Sequence, residues 1–143
     1  MAYNHLFVDT WGWLVLADRQ TPAFTSAAEV RRAYFEERRA LVTTDYVLDE
    51  TITRLFAARP FTTAKRFVDG ILESQKLGQV IIEWITAQRF RGAYDLRLRF
   101  RDKPRVSFTD LTSLIVMREL GIRDVLTADA HFNQAGFGFR TLP

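Results

Sequence analysis

The sequence contains no cysteine, and this absence excludes several kinds of site. Disulfides, thiolate nucleophiles and zinc sites built on cysteine are all impossible. Glycine and proline are also scarce, with 7 and 4 copies, and no low-complexity run is present. The 48% of apolar and 26% of charged residues are typical of a folded globular protein. We expect a single domain over residues 1–143, because this length suits one hydrophobic core and is short for two.

No apolar run is long enough to cross a membrane. The first apolar stretch lies near the N-terminus, has no basic segment before it and is broken by Asp9. It therefore matches neither a signal peptide nor a membrane span. We expect a protein without membrane association that works in the cytoplasm, and the absence of cysteine agrees with a reducing compartment.

Positive charge is in slight excess, with a formal net charge of +3 and a pI of about 9.6. Basic residues concentrate between residues 89 and 105, with aromatic residues among them. Such a surface can hold phosphates and stack bases, and the residues that we predict for this role are Arg97, Arg99, Arg101 and Lys103. The pattern equally suits a solvated helix whose aromatic side chains enter the core, or a docking surface for an acidic protein.

Short apolar segments alternate with amphipathic segments along the chain. The strand candidates are residues 5–9, 41–44, 79–83, 124–127 and 139–142. The helix candidates are residues 10–18, 25–39, 46–58, 62–76, 86–101 and 108–120, with Asp45 as the expected N-cap of the third. Alternation of this kind predicts an α/β fold, with a central parallel sheet of four to five strands and helices on both faces.

Acidic residues lie at or near the carboxyl ends of the predicted strands. Asp9 ends the first strand, and Asp129 comes two residues after the fourth. Asp110 lies in the first turn of a helix, and Glu50 lies early in the helix that follows the second strand. In an open parallel sheet the ligand crevice lies beyond the carboxyl ends of the strands. We therefore expect these four acids at or close to one rim.

Four carboxylates at one rim repel one another unless a cation neutralises them. Their hard oxygen atoms select Mg²⁺ or Mn²⁺. Such an ion activates water and offsets the negative charge that builds on a phosphate during in-line attack. The four acids thus predict a metal site that hydrolyses phosphodiesters.

Three of the acids also have a structural interpretation as helix or turn caps. Asp9 could cap the helix that begins at Thr10, although an unpaired acid is costly to bury at the end of an apolar strand. Asp110 fits a capping box with Ser107. Asp129 could cap a short turn.

Helix periodicity does not favour Glu50. The apolar face of its helix runs through Leu48, Ile52 and Leu55. Glu50 falls opposite this face and Asp49 falls at its edge, so the pattern leaves Glu50 in solvent.

Other catalytic motifs are missing from the sequence. It has no glycine-rich phosphate loop, no serine nucleophile elbow and no HExxH helix. His131, two residues after Asp129, could act as a base or a metal ligand, but we interpret it as a capping or packing residue.

The order and spacing of several motifs resemble the VapC-type toxins of the PIN-domain family. The matching segments are residues 7–10 (FVDT), 42–51 (VTTDYVLDET), 101–103 (RDK), 107–110 (SFTD), 126–132 (LTADAHF) and 136–137 (GF). The resemblance extends from Leu6 to Leu142. It implies a single PIN-like α/β/α domain.

The resemblance also implies a site and an activity. The four family carboxylates fall on Asp9, Glu50, Asp110 and Asp129, and it is the resemblance that selects Glu50 over Asp49. The hydroxyls that it implies as supports for these acids are those of Thr10, Thr109 and Thr127. Trp11 is a departure, because the family often has a small hydroxyl or amide residue close behind the first Asp.

As an activity, the resemblance implies an endoribonuclease that uses Mg²⁺ or Mn²⁺, tends to form homodimers and is held inactive by a small antitoxin. Such antitoxins usually insert a peptide, often with an arginine, into the acidic site. Two alternatives remain open at this point. One is a catalytically inactive PIN-fold binding module, and the other is a DNA-directed nuclease of the same superfamily.

Overall fold

The structure is a computed structural model that describes residues 4–143. Within these residues, five strands form a sheet in the order β3-β2-β1-β4-β5. The strands are β1 (Leu6–Val8), β2 (Leu41–Thr44), β3 (Val80–Glu83), β4 (Asp124–Leu126) and β5 (Arg140–Leu142). Every neighbouring pair is parallel, so all the strands end at the same edge of the sheet. The predicted parallel sheet is confirmed.

Helices cover both faces of this sheet. They are α1 (Thr10–Leu16), α2 (Phe24–Glu36), α3 (Asp45–Ala58), α4 (Phe61–Lys76), α5 (Ala87–Arg99), α6 (Phe108–Leu120) and α7 (His131–Gln134). The chain moves outward from β1 to β3 and then crosses back to β4. Because such crossovers are right-handed, α1 to α4 lie on one face and α5 to α7 on the other. The contacts agree, since α1 packs on α2 and α3, and α5 packs on α6.

The start of α3 differs from the prediction, because Thr44 and not Asp45 is its N-cap. The Thr44 hydroxyl accepts a hydrogen bond from the backbone N of Val47 at 3.1 Å. The Asp45 carboxylate instead accepts from the backbone N of Ile85 at 2.7 Å. It thereby ties the start of α3 to the chain that leaves β3.

The starts of α2 and α4 and the end of α5 also differ from the prediction. Helix α2 begins at Phe24, one residue before the predicted start, and has no side-chain cap. Backbone turns supply the bonds there, since Phe24 N donates to Thr21 O at 3.0 Å. Helix α4 begins directly after Pro60, slightly before the predicted start. Helix α5 ends at Arg99, two residues before the predicted end.

Gly12 allows α1 to lie directly against the sheet. A Cβ atom at this position would lie 2.7 Å from the carbonyl oxygen of Leu126 and 2.8 Å from Cγ1 of Val8. Any larger residue would therefore push α1 away from the ends of β4 and β1. The close approach fixes the position of the turn between β1 and α1, in which Asp9 lies.

A chain of hydrogen bonds holds the same turn from the other side. The indole Nε1 of Trp13 donates to the Thr43 hydroxyl at 3.0 Å, and this hydroxyl donates to the carbonyl of Val8 at 3.1 Å. All three residues are buried. The end of β1 is thus anchored to both of its neighbouring strands.

None of the helices in residues 4–143 combines the length and the hydropathy that a bilayer crossing requires. The organisation of residues 1–143 as one domain stays a prediction.

Candidate active site

An open cavity of about 400 Å³ lies at the carboxyl ends of β1 and β4. All four predicted acids line it: Asp9, Glu50, Asp110 and Asp129. They come from four separate segments, namely the end of β1, helix α3, helix α6 and the loop after β4. The structure therefore brings together the residues that the sequence places far apart.

Asp9 is 6% exposed and serves as a helix cap as well as a wall of the cavity. Its Oδ1 accepts from the backbone N of Gly12 at 2.9 Å, and its Oδ2 accepts from the Thr127 hydroxyl. Burial raises the pKa of this carboxyl to about 6, and the charges of Asp129 and Glu50 act in the same direction. The two hydrogen bonds oppose this rise. The capping and the functional interpretations of Asp9 are thus compatible.

Asp110 lies in the first turn of α6, whose N-cap is Ser107. The Ser107 hydroxyl accepts from the backbone N of Asp110 at 3.0 Å, as the sequence predicts. The Asp110 carboxylate faces the cavity. Burial raises its pKa to about 7, and the charges of Asp129 and Asp9 add to the effect. Two neighbouring carboxyls with raised pKa values indicate a site that is short of positive charge.

Asp129 is held in the loop after β4 by two hydrogen bonds. Its backbone N donates to the Thr127 hydroxyl at 2.9 Å, and its Oδ1 accepts from the backbone N of His131 at 2.8 Å. The predicted role as a turn cap is therefore present. The same carboxylate lines the cavity.

His131 lies closer to the acids than the sequence suggested. Its Nδ1 is 2.9 Å from Oδ1 of Asp129 and 3.8 Å from Oδ2 of Asp110. Among residues 4–143, this buried nitrogen has no hydrogen-bond partner. One donor atom each from Asp110, Asp129 and His131 lie within 4.8 Å of one another, which is a spacing that could hold a metal ion. In the sequence, the sign that His131 could lie near the acids was its position two residues after Asp129.

Glu50 lines the cavity from α3, whereas Asp49 is exposed and does not. Helix periodicity, which left Glu50 in solvent and put Asp49 at the edge of the apolar face, therefore did not identify the residue that lines the cavity. The reason is that α3 begins at the rim of the sheet, so that its first turns border the cavity as well as the core. Glu50 lies one turn after Val47, which also lines the cavity. The Glu50 side chain is 41% exposed and lies 3.4 Å from Arg54.

The three predicted supporting threonines have different surroundings. Thr127 is hydrogen-bonded to Asp9 and to the backbone of Asp129. Thr10 and Thr109 line the cavity. A supporting role therefore has direct contacts only for Thr127.

The basic stretch after α5 is partly structural. The Arg97 guanidinium donates to the carbonyl oxygens of Phe100, Lys103 and Val106 at 2.6, 2.6 and 2.8 Å. It thereby holds the loop that precedes α6, which favours the structural interpretation for Arg97. Arg99 and Arg101 are exposed. Nucleic-acid contact by this stretch stays a prediction.

Comparison with known proteins identifies relatives of this chain. Two relatives, from two strains of Mycobacterium tuberculosis, are both named 23S rRNA-specific endonuclease VapC20. Each is 31% identical over 133 residues, which cover 92% of this chain and 95% of the relative. No family model matches the sequence.

Solved structures show the same fold. The crystal structure of Mycobacterium tuberculosis VapC20, described as a sarcin-ricin loop cleaving toxin, has a TM-score of 0.75 and 28% identity, and the match covers 94% of this chain and 98% of that chain. VapBC2 from Rickettsia felis, bound to a promoter DNA fragment, has a TM-score of 0.74 over 96% of this chain and 98% of that chain. At 11% identity it supports the fold alone.

The layered sheet and its acidic cavity are those of a nuclease with a PIN-like fold. The chain belongs to the VapC family of endonuclease toxins.

Proposed function

We propose that this protein is the toxin of a type II toxin–antitoxin pair and hydrolyses RNA phosphodiester bonds with the help of Mg²⁺ or Mn²⁺. The observation that carries the proposal is the meeting of four carboxylates in one cavity. Burial and mutual repulsion raise the pKa values of Asp9 and Asp110 to about 6 and about 7. A divalent cation would relieve this repulsion, and carboxylate oxygens are the ligands that these ions prefer.

In this proposal Asp9, Asp110 and Asp129 hold the cation, and Glu50 binds it directly or through water. A divalent cation held there would supply an activated water and would offset charge on the phosphate. The protein supplies the geometry, since Thr127 and Gly12 hold the Asp9 carboxylate in place. His131 would add a nitrogen donor, which suits Mn²⁺ better than Mg²⁺.

The proposed substrate is a structured RNA, and ribosomal RNA is the first candidate because the relative VapC20 is a 23S rRNA-specific endonuclease. Because ribosomal RNA is a cytoplasmic substrate, we propose that the protein works in the cytoplasm. Basic residues near the start of α6 would contact the RNA backbone; the candidates are the exposed Arg99 and Arg101 and the partly buried Lys103.

The proposed partner is a small antitoxin. A second cavity of about 590 Å³ has apolar walls from α1, α2 and α4 and carries four arginines: Arg19, Arg31, Arg59 and Arg66. Arg59 pairs with Asp18 at 2.5 Å. The other three make no ion pair within residues 4–143. An acidic segment with apolar side chains complements this surface, so we propose that the antitoxin docks here and, separately, that the toxin forms a homodimer.

The test is cleavage of ribosomal RNA by the purified protein in Mn²⁺. We expect Asp110→Asn to lower the rate at least 100-fold and EDTA to abolish it. Asp49→Asn is the matched control, since Asp49 is an exposed acid outside the cavity. Equal rates for wild type and Asp110→Asn would contradict the proposal.

The same preparation separates the two alternatives. A binding module would show neither cleavage nor a rise in melting temperature with Mn²⁺. A DNA-directed nuclease would cleave DNA in preference to RNA.

A further inference from the structure

We infer that Trp11 is a specificity-determining residue, whose indole stacks on an unpaired base next to the cleaved phosphodiester. This inference rests on the proposed ribonuclease function and adds a determinant of which RNA is cut. Trp11 is the second residue of α1 and follows the cavity-lining pair Asp9 and Thr10.

Trp11 forms the wall between two cavities. One is the acidic cavity, which it lines together with Asp9 and Glu50. The other is an adjoining cavity of about 470 Å³ between α1 and α3, whose walls are mostly apolar: Leu14, Val15, Leu55, Ala57 and Ala58. A nucleotide whose phosphate lies at the acids therefore has its neighbouring base beside this indole.

The indole of Trp11 can contact a ligand, whereas the indole of Trp13 cannot. Trp13 is 2% exposed, donates its Nε1 to Thr43 and packs edge-on against Phe67 at 6.4 Å. Trp11 is only partly buried, and within residues 4–143 its indole has neither a hydrogen bond nor a ring partner. Trp11 packs against the core on part of its surface and lines both cavities with the rest, so its indole offers a ligand an apolar ring face and an N–H donor.

Charge at the junction favours a nucleotide over an apolar peptide side chain. Arg54 lines both cavities, and its side chain is 59% exposed. Its contact with Glu50 is long, at 3.4 Å, so the guanidinium can turn to a phosphate. An aromatic face with a neighbouring arginine is the combination that proteins use for unpaired bases, since a base in a duplex cannot present its face.

The exposed residues Ala57 and Ala58 determine the shape of the adjoining cavity. Both lie on α3 along the adjoining cavity. Their small side chains leave the space beside the Trp11 ring open. At the far end, the ion pair between Asp18 and Arg59 closes the cavity.

The test first maps the site at which the wild type cuts ribosomal RNA and then uses an RNA oligonucleotide of that region. We expect Trp11→Ala to lower kcat/KM about 10- to 100-fold, mostly through KM, from the loss of one stacked base. Trp11→Phe should keep most of the activity. The control is Trp84→Ala, because Trp84 is 62% exposed and lies outside both cavities.

A modified substrate makes the test specific for stacking. An abasic nucleotide beside the cleaved bond should slow the wild type to the rate of Trp11→Ala and should slow that variant no further. If the abasic nucleotide and Trp11→Ala each slowed cleavage and their effects added, the inference would be overturned. It would also be overturned if Trp11→Ala cleaved normally but escaped its antitoxin, because the indole would then serve a protein partner.

Two further outcomes keep this inference separate from the proposed function. If the wild type cuts no RNA, the proposed function fails and the stacking role fails with it. If the wild type cuts RNA and Trp11→Ala cuts it equally well, the stacking role alone fails. If Trp11→Ala does not fold, the stacking role can still be tested. The measurements are then the activity of Trp11→Phe and the cleavage of the abasic substrate by the wild type.

Discussion

The Thr127 hydroxyl donates a hydrogen bond to Oδ2 of Asp9, across 118 residues of sequence. The Thr127 hydroxyl oxygen also accepts a hydrogen bond from the backbone N of Asp129 at 2.9 Å. One buried hydroxyl therefore joins the ends of β1 and β4 and positions two of the proposed metal ligands at once. Within residues 4–143, the Glu50 carboxylate has one polar partner, Arg54, at the longer distance of 3.4 Å.

Replacing Thr127 by Val should weaken metal binding, because the change removes the hydroxyl and keeps the shape. We expect a 10- to 100-fold rise in the Mn²⁺ concentration that gives half-maximal cleavage, as is usual when a partner of a metal ligand is lost. Thr127→Ser should restore most of the affinity. If Thr127→Val and the wild type needed equal Mn²⁺, the hydroxyl would have no role in positioning Asp9.

Replacing Gly12 by Ala should destabilise the protein and the site together. The new methyl would meet the Leu126 carbonyl at 2.7 Å, and overpacking of this kind costs about 1–3 kcal/mol. Denaturant unfolding measures the loss. Gly70→Ala in α4 is the matched control, since a Cβ there meets nothing within 4 Å. That variant should be as stable as the wild type or about 0.5–1 kcal/mol more stable.

Without metal, the stability of the protein should fall as the pH rises from about 4 to about 7. Asp9 and Asp110 have folded-state pKa values of about 6 and about 7, against an ordinary value of 3.8. With a raised folded-state pKa, the stability is fully present below the ordinary pKa and falls as the pH rises toward the folded-state pKa, because over this range the unfolded chain ionises while the folded state still holds the proton. For Asp9 the cost is on the order of 3 kcal/mol.

Melting curves in EDTA and in Mn²⁺ test this pH dependence. Asp110→Asn should melt higher than the wild type at pH 8 in EDTA and should gain nothing from Mn²⁺. Asp49→Asn should behave as the wild type does. A wild type whose stability in EDTA rises between pH 4 and pH 7 would contradict the expected repulsion.

Reversing charges at the arginine-lined cavity should release the toxin from its antitoxin. We expect Arg31→Glu with Arg66→Glu to keep the ribonuclease activity but to prevent inhibition by the co-expressed antitoxin. Arg32→Glu is the control, because Arg32 is adjacent in sequence, highly exposed and absent from the cavity wall. Growth of cells that express toxin and antitoxin together measures the effect. Continued protection of cells that carry the double variant would rule out this surface.

The sequence predicted the parts of the fold that depend on local patterns. Strands with continuous apolar residues, such as β1, and a helix with clear end signals, such as α6 between Ser107 and Gly121, lie where they were predicted. The cap of α3 was missed, since Thr44 and Asp45 are both good capping residues. The choice between these two caps depends on Ile85, which is 40 residues away. The backbone N of Ile85 donates a hydrogen bond to the Asp45 carboxylate.

The site was predictable where strand ends determine it. Asp9 follows directly from its place at the end of β1. Glu50 could not be found by periodicity, because the inward side of α3 is defined by the cavity as well as by the core. The position of His131 depends on the conformation of the loop after β4, which brings it toward α6. No local sequence pattern predicts this conformation.

The central position of β1 has a consequence for how the toxin is made. One edge of β1 pairs with β2, but the other edge pairs with β4, which the ribosome adds more than a hundred residues later. Asp110 and Asp129 also belong to this late part of the chain. A nascent chain that extends to residue 105 has two of the four site carboxylates, Asp9 and Glu50, and one edge of β1 still lacks its partner strand β4, so the site is incomplete. Under the proposed ribonuclease function, the protein therefore gains activity only after the segment that carries Asp110 and Asp129 has been synthesised and folded.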